Sequence, residues 1–280
     1  MQVFLNGQLV PKDDAKISVF DRGFLFGDGV YEVIPVFGDN LFRLTEHLAR
    51  LNNSLAAINI KNPYTHNEWK KICNDLMHEC DFSSHKAVYI QITRGVGVRE
   101  HLYHSSMIPT VFVMCNPISA NKYDKGISAI THADIRWMRC DIKAITLLPN
   151  ILLRQYAKDA DESYEAILIR DNNVTEGAAS NVFAVKDNII LTPPIDGKIL
   201  QGITRDLLVE LMLDANMQVN EKNIPEQALF DADEIWLTGS TTGVAPVLKL
   251  NGKPVGNGKP GIRWQQANEL FNAYISTYKN

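Results

Sequence analysis

One polar, proline-containing stretch, Asn116-Pro117-Ile118-Ser119-Ala120-Asn121-Lys122, interrupts an otherwise steady succession of short apolar segments. It limits what this chain can fold into. At 280 residues the chain is long for one core. The interruption therefore predicts a small N-terminal α/β domain over 1–115, an interdomain linker over 116–122 and a larger C-terminal domain over 123–280. On the N-terminal side the hydrophobic period switches between that of strands and that of helices. Val3 to Val10 reads as a hairpin turning on Asn6-Gly7, and Gly29 to Leu44 as a second hairpin turning at Gly38-Asp39-Asn40. The stripe Leu48, Leu51, Leu55 and Ile58 predicts a helix from about Thr45, followed by more polar helical material from Glu68 to Cys80. Val88 to Thr93 alternates as a strand, and Thr110 to Cys115 is another. Beyond the linker, strands are expected at 126–131, 165–170, 182–185, 189–191 and 234–238. Helices are expected from Leu147 to Asp159, from Thr204 onward and over 225–230. With no internal repeat, this makes an α+β (mixed α/β) protein.

Composition narrows the functional classes. Hydrophobic content of 45% and charged content of 21% describe an ordinary soluble globular chain. A net charge of −4 leaves no basic surplus to neutralise nucleic-acid phosphates. No apolar run approaches the ~18 residues of a membrane span. The segment Met1 to Gly7 reads as a strand entering a hairpin, not as a targeting signal, so a cytoplasmic setting is expected. Cys73, Cys80, Cys115 and Cys140 form no Cys-x-x-Cys pair and read as buried structural thiols. His101 and His104 have a spacing that a metal could use on a helix, but no third ligand is visible nearby, and no metal site is read.

A lysine and an acid carry the chemistry. Lys143 stands at the mouth of an apolar helical run, beside Ile142, Ile145, Leu147 and Leu148, and such surroundings favour a neutral amine. Glu176 opens Glu176-Gly177-Ala178-Ala179-Ser180-Asn181-Val182-Phe183, a small-residue turn feeding a strand. Taken alone, each is an ordinary surface lysine or turn acid. Together they match the demands of pyridoxal phosphate: an amine for a Schiff base and a carboxylate for the pyridine nitrogen. A phosphate needs donors, and Gln201-Gly202-Ile203-Thr204-Arg205 runs straight into a helix whose first N–H groups can face an anion. Gly239-Ser240-Thr241-Thr242-Gly243 offers a second cradle, and Arg50 a guanidinium.

These segments resemble the fold type IV pyridoxal phosphate enzymes, the group of branched-chain and D-amino-acid aminotransferases and aminodeoxychorismate lyase. The likeness runs from Asp21-Arg22-Gly23-Phe24-Leu25-Phe26-Gly27-Asp28-Gly29-Val30-Tyr31-Glu32 through His47-Leu48-Ala49-Arg50-Leu51 and the Glu176 segment to Gly202-Ile203-Thr204-Arg205. It implies a two-domain fold whose larger domain holds a barrel-like sheet. By the same resemblance Lys143 forms the Schiff base and Glu176 partners the ring nitrogen. Arg50, Ile203, Thr204, Ser240 and Thr241 would hold the phosphate, with Leu200 packed on the ring. Arg94-Gly95-Val96-Gly97-Val98-Arg99-Glu100-His101 is similar to the loop of the D-amino-acid enzymes in which an arginine and a histidine meet the substrate carboxylate with a tyrosine. Here those are Arg99, His101 and Tyr31.

The resemblance thus implies ping-pong transamination between D-amino acids and 2-oxo acids, with D-alanine and 2-oxoglutarate giving pyruvate and D-glutamate. It also implies a homodimer with shared sites. Glu100, Ala178 and Ala179 depart from the family pattern, adding a negative charge near the carboxylate pocket and removing hydroxyls beside the acid. Branched-chain transamination and aminodeoxychorismate lysis are the rivals on the same fold, and Arg99 with His101 argues against both. A non-catalytic phosphate-binding protein would leave Lys143 and Glu176 without purpose.

Overall fold

The computed structural model describes residues 1–80, 85–118 and 123–279, apart from the side chain at position 161. The chain divides into two compact units: Met1–Ser119 with Ile142–Leu147 and Tyr278–Asn280, and Ala120–Asp141 with Leu148–Thr277. Positions 119–122 of the expected linker lie outside the described residues. Two later pieces of chain join the N-terminal stretch in the first unit. Ile142–Leu147, and with it Lys143, clusters with the first unit.

The first unit contains β1 (Gln2–Leu5), β2 (Gln8–Pro11), α1 (Arg22–Phe26), β3 (Gly29–Phe37), β4 (Asn40–Leu41), α2 (Leu44–Ala57), α3 (His66–His78), β5 (His85–Thr93) and β6 (Thr110–Pro117). The strands form one antiparallel sheet in the order β2-β1-β6-β5-β3-β4. Asn6 and Gly7 both adopt positive φ, the geometry a two-residue hairpin turn demands. Alternation in β5 sends Val88, Ile90 and Ile92 into the core, where they meet Leu48, Leu51 and Leu55 of α2 and Trp69, Cys73 and Leu76 of α3. The helix stripe and strand alternation read from the sequence are these same residues. α3 begins with a capping box between Thr65 and Glu68.

The second unit contains β7 (Ile127–Ala133), α4 (Leu148–Asp161), β8 (Glu165–Arg170), β9 (Asn173–Gly177), β10 (Asn181–Lys186), β11 (Ile189–Thr192), α5 (Ile203–Asp214), β12 (Val219–Glu221), α6 (Glu226–Phe230), β13 (Glu234–Gly239), β14 (Gly243–Leu250), β15 (Lys253–Pro254) and α7 (Ile262–Ser276). Its strands form one nine-stranded sheet in the order β12-β11-β10-β13-β14-β7-β8-β9, with β15 beside β14. The sheet curls so that β9 comes back alongside β10, the barrel-like form that the resemblance implies. Ala129, Ile167, Val182, Ala184, Ile235, Leu237 and Val247 fill one face.

Two local expectations change. Lys143 does not begin a helix. Tyr31 donates its N–H to the Lys143 carbonyl at 2.9 Å, and Ile145 donates to the Gly29 carbonyl at 3.1 Å. Ala144 forms an isolated bridge with Val30, so this segment runs extended along β3. Its backbone groups are already paired and cannot join a helical ladder. The helix expected from Leu147 starts at Leu148, where Pro149 in the first turn sacrifices no hydrogen bond. Glu176 in turn lies within β9, not in the following turn.

Candidate active site

In the first unit, β3 presents two functional faces. Tyr31 lies on the side away from the helices, stacked on Tyr89 with ring centroids 5.7 Å apart. The ammonium of Lys143 sits 4.2 Å from the centroid of the Tyr31 ring, a cation–π distance. Lys143 also donates its N–H to Ser54 Oγ at 3.2 Å. On the opposite face Glu32 is fully buried against α2. Its carboxylate accepts Arg50 Nε at 2.7 Å and Nη2 at 2.8 Å, and lies 2.8 Å from His47 Nδ1. Burial pushes the Glu32 carboxyl up, yet Arg50 and His47 prevail and hold it far below the ordinary carboxylate range. Burial lowers the pKa of His47 despite the pull of Glu32. In its neutral form the ring donates Nδ1–H to the carboxylate, and Nε2 then has no partner among the described residues. Arg50 thus has its Nε and Nη2 edge fixed by a carboxylate.

In the second unit, Glu176 is buried with both oxygens engaged. Oε1 accepts from Arg136 Nη1. Oε2 accepts the Leu200 N–H at 2.9 Å and Asn181 Nδ2 at 3.1 Å, and the same Asn181 amide reaches the Leu200 carbonyl at 2.9 Å. Burial pushes the Glu176 carboxyl up, against the opposing pull of Arg136 and the Leu200 N–H. Arg136 is itself held protonated by Asp134 and Glu176. Asp134 takes Arg136 Nε at 2.9 Å and Nη2 at 2.8 Å, Arg170 Nη2 at 3.0 Å and the Thr175 hydroxyl at 2.9 Å.

The anion cradles read from the sequence are present as local structure in the same unit. Ile203 and Thr204 open α5 after Gly202, which has no side chain to cap the first N–H groups. Gly202 is also packed tightly: a Cβ there would come within 1.9 Å of Asn181 Oδ1. Ser240 and Thr241 lie in the turn between β13 and β14, whose Thr242 hydroxyl is 3.0 Å from that of Tyr164.

Arg99 and His101 belong to the first unit and gather on one ring. The Arg99 guanidinium lies 5.2 Å, and the His101 ring 5.8 Å, from the centroid of Phe26. Both side chains are exposed, and the segment carrying His101 and His104 is a loop, not a helix. Tyr31 is held by other neighbours, as described above. The first unit therefore carries the amine, the fixed arginine and the exposed arginine–histidine pair. The second carries the carboxylate, Leu200 and both cradles.

The family model of class IV amino-transferases matches residues 29–250. The chain belongs to the class IV aminotransferases. Enzymes of this fold type work with pyridoxal phosphate. This aminotransferase is 40% identical to a D-alanine aminotransferase of Bacillus licheniformis, over 93% of this chain and 92% of that one. It is 38% identical to a D-alanine aminotransferase of Staphylococcus haemolyticus, over 99% and 98% of the two chains. Among solved structures, the branched-chain amino acid aminotransferase of Escherichia coli superposes with a TM-score of 0.92, covering 100% of this chain and 96% of that one. Its 24% identity makes this a likeness of fold.

Several side chains that support the candidate residues escape a reading by motif. Glu32 is an acid inside the apolar strand Gly29–Phe37, and a charge in such a run is itself a sign of a buried partner. Arg136 and Asp134 stand two apart after β7 without a recognisable pattern. In sequence Asn181 is one residue of the Glu176 segment, and only the fold brings its amide to both Glu176 and the Leu200 carbonyl.

Proposed function

We propose that this enzyme catalyses transamination between D-alanine and 2-oxoglutarate, giving pyruvate and D-glutamate. The observation that carries the reading is the nearly full-length likeness to enzymes named D-alanine aminotransferase. The donor set fits pyridoxal phosphate. Lys143 offers an amine beside an aromatic face. Glu176 is a buried carboxylate already supported by three donors, as a protonated pyridine nitrogen requires. The helix start at Ile203 and Thr204, with no side-chain cap, suits a phosphate, together with Ser240, Thr241 and the Arg50 fork. Leu200 would pack on the ring.

When bound, the cofactor supplies an electron sink for charge developing at the substrate Cα. Lys143 Nζ would hold the proton taken from that Cα. Glu176, kept in place by Arg136 and Asn181, would pair with the ring nitrogen and favour its protonated form. Arg99 and His101, with Tyr31, receive the substrate carboxylate, the guanidinium gripping it in two places.

A homodimer with shared sites belongs to the same proposal. Val98, Leu102 and Ile108 of the first unit are 75%, 78% and 84% exposed, and Leu148, Ile151 and Met138 of the second are exposed too. Apolar patches of this kind mark association surfaces. The free, buried thiols suit a reducing, cytoplasmic setting. The described residues contain no helix long and apolar enough to cross a membrane.

The deciding experiment offers D- or L-alanine with 2-oxoglutarate to the pyridoxal-phosphate-loaded enzyme and follows pyruvate. Consumption of the D enantiomer is expected. Preference for L-alanine, or for branched-chain L-donors, overturns the reading.

A further inference from the structure

A dense set of contacts ties the segment before β3 to the loop after β5. Asp21 and Val96 form an isolated β-bridge. Arg22 donates its N–H to the Gly95 carbonyl at 2.9 Å, Gly97 to Phe20 at 3.2 Å and Arg94 to Asp28 at 3.0 Å. At the centre lies Asp28, whose carboxylate accepts Arg22 Nε at 2.8 Å, Arg94 Nε at 2.8 Å and Arg94 Nη2 at 3.0 Å. Arg94 spends its other donors on the Ile58 and Asn59 carbonyls just past α2, at 2.7 and 3.3 Å. Arg22 is turned the other way. Its Nη1 donates to the Glu100 carbonyl at 2.5 Å and its Nη2 to the His101 carbonyl at 3.2 Å. The same guanidinium lies 4.6 Å from the centroid of Phe26, the ring on which Arg99 and His101 gather.

We propose that Arg22, fixed by Asp28, is a positioning residue that sets the loop carrying Arg99 and His101 for recognition of the substrate carboxylate. The inference rests on the reading that Arg99 and His101 bind that carboxylate, and adds what holds them. The stretch from Arg99 to His104 is exposed and has no ladder of its own. Without Arg22 the Glu100 and His101 carbonyls would be left to water, and the side chains would sample many orientations. Arg22 is only 4% exposed, and one edge of its planar fork is already committed to Asp28. The two carbonyls it holds belong to the peptide groups on either side of the His101 Cα. A lysine carries its three donors on one nitrogen and lacks the spread of the fork, whose three separate nitrogens hold the carboxylate and the two carbonyls. Arg22 acts through the loop backbone and through Phe26.

The test compares Arg22→Met and Arg22→Lys in the cofactor-loaded enzyme. For Arg22→Met, the KM for D-alanine should rise roughly tenfold, because loss of orientation weakens binding without removing the binding group. Arg22→Lys should rise less. Cofactor affinity, read by fluorescence titration, should stay within about twofold of the parent, because the side-chain bonds described for Arg22 go to Asp28, Glu100 and His101 and to no cofactor-binding residue. Amide hydrogen exchange should quicken over residues 96–104 and not in α2 or α5. An unchanged KM in both variants overturns the proposal, as does a fall in cofactor affinity and kcat in step with the KM change. If Arg22→Met does not fold, Arg22→Lys alone decides by KM and exchange. Arg99→Ala in the same assay separates the two readings. An unchanged D-alanine KM there refutes carboxylate binding by the loop, whatever Arg22 does. A raised KM there, with Arg22 variants like the parent, refutes only the positioning role.

Discussion

Replacing Glu32 by glutamine removes the charge from a site with no solvent exposure, where three short hydrogen bonds of 2.7, 2.8 and 2.8 Å converge. Arg50, also buried, keeps its charge and loses this counter-charge. Breaking one side of such a pair costs about 3–5 kcal/mol, most of it the penalty on the cation left behind. At roughly 2–4 °C per kcal/mol for a domain of this size, thermal unfolding of the apoenzyme should fall by about 6–20 °C. The sign of the pH dependence follows from the direction of the shift. The Glu32 carboxyl is held well below its unfolded value, so its contribution is complete above the ordinary carboxylate pKa of about 4.3 and erodes as pH falls below it. The gap between parent and Glu32→Gln should therefore be constant from pH 7 to about 5 and narrow towards pH 3.5. Adding Arg50→Met to Glu32→Gln removes the stranded cation, so the double variant should recover part of the loss. Urea titrations across this pH series make the measurement. A variant within about 1 kcal/mol of the parent, or a double variant no better than the single, would refute the account of Glu32 as the counter-charge of Arg50.

Lys143→Ala should abolish transamination, and borohydride treatment should no longer attach the cofactor to the peptide containing position 143, as peptide mass spectrometry will show; residual normal turnover rules the assignment out. Glu176→Gln should retain cofactor but turn over on the order of a hundredfold more slowly, the loss seen on removing one preorganised electrostatic partner. Parent-like turnover would leave Glu176 a purely structural strand residue. Gly202→Ala forces a Cβ to 1.9 Å from Asn181 Oδ1, which should displace the amide bridging Glu176 and Leu200, cost about 1–3 kcal/mol and weaken cofactor binding; calorimetry and cofactor titration that match the parent would contradict it. If sites are shared between subunits, inactive Lys143→Ala and Arg99→Ala chains should regain activity when mixed, whereas silence after verified subunit exchange counts against sharing.

The elements most legible in the sequence are those whose side chains repeat on one face. Leu48, Leu51 and Leu55 mark α2, and Val88, Ile90 and Ile92 mark β5, because burial on one side imposes the period. β9 has no such period: four of its five residues are buried, one of them the charged Glu176, so neither alternation nor propensity betrays a strand. Lys143 is legible as a residue ahead of the helix, but not as part of an extended segment paired with β3. Its apolar neighbours suggest a helix start, but pairing with β3 decides the backbone, and that pairing is with residues more than a hundred positions earlier. The supports of the site, Glu32 for Arg50 and Arg136 for Glu176, are side-chain partners brought together by sheet register, which single-sequence pattern does not encode.

The route of the chain through the first unit has a consequence for how the molecule is made. Its sheet begins at Gln2, yet the strand-like segment beside β3 arrives only with Ile142–Leu147, and Tyr278 packs on Phe42 with ring centroids 5.2 Å apart. Asn40 Nδ2 also donates to the Tyr278 carbonyl at 2.8 Å. On a ribosome the portion synthesised first is therefore the last to be sealed. A fragment cut near residue 120 lacks both pieces, and the nascent first unit must wait, with β3 and Phe42 partly uncovered, until residues on the far side of the second unit have emerged.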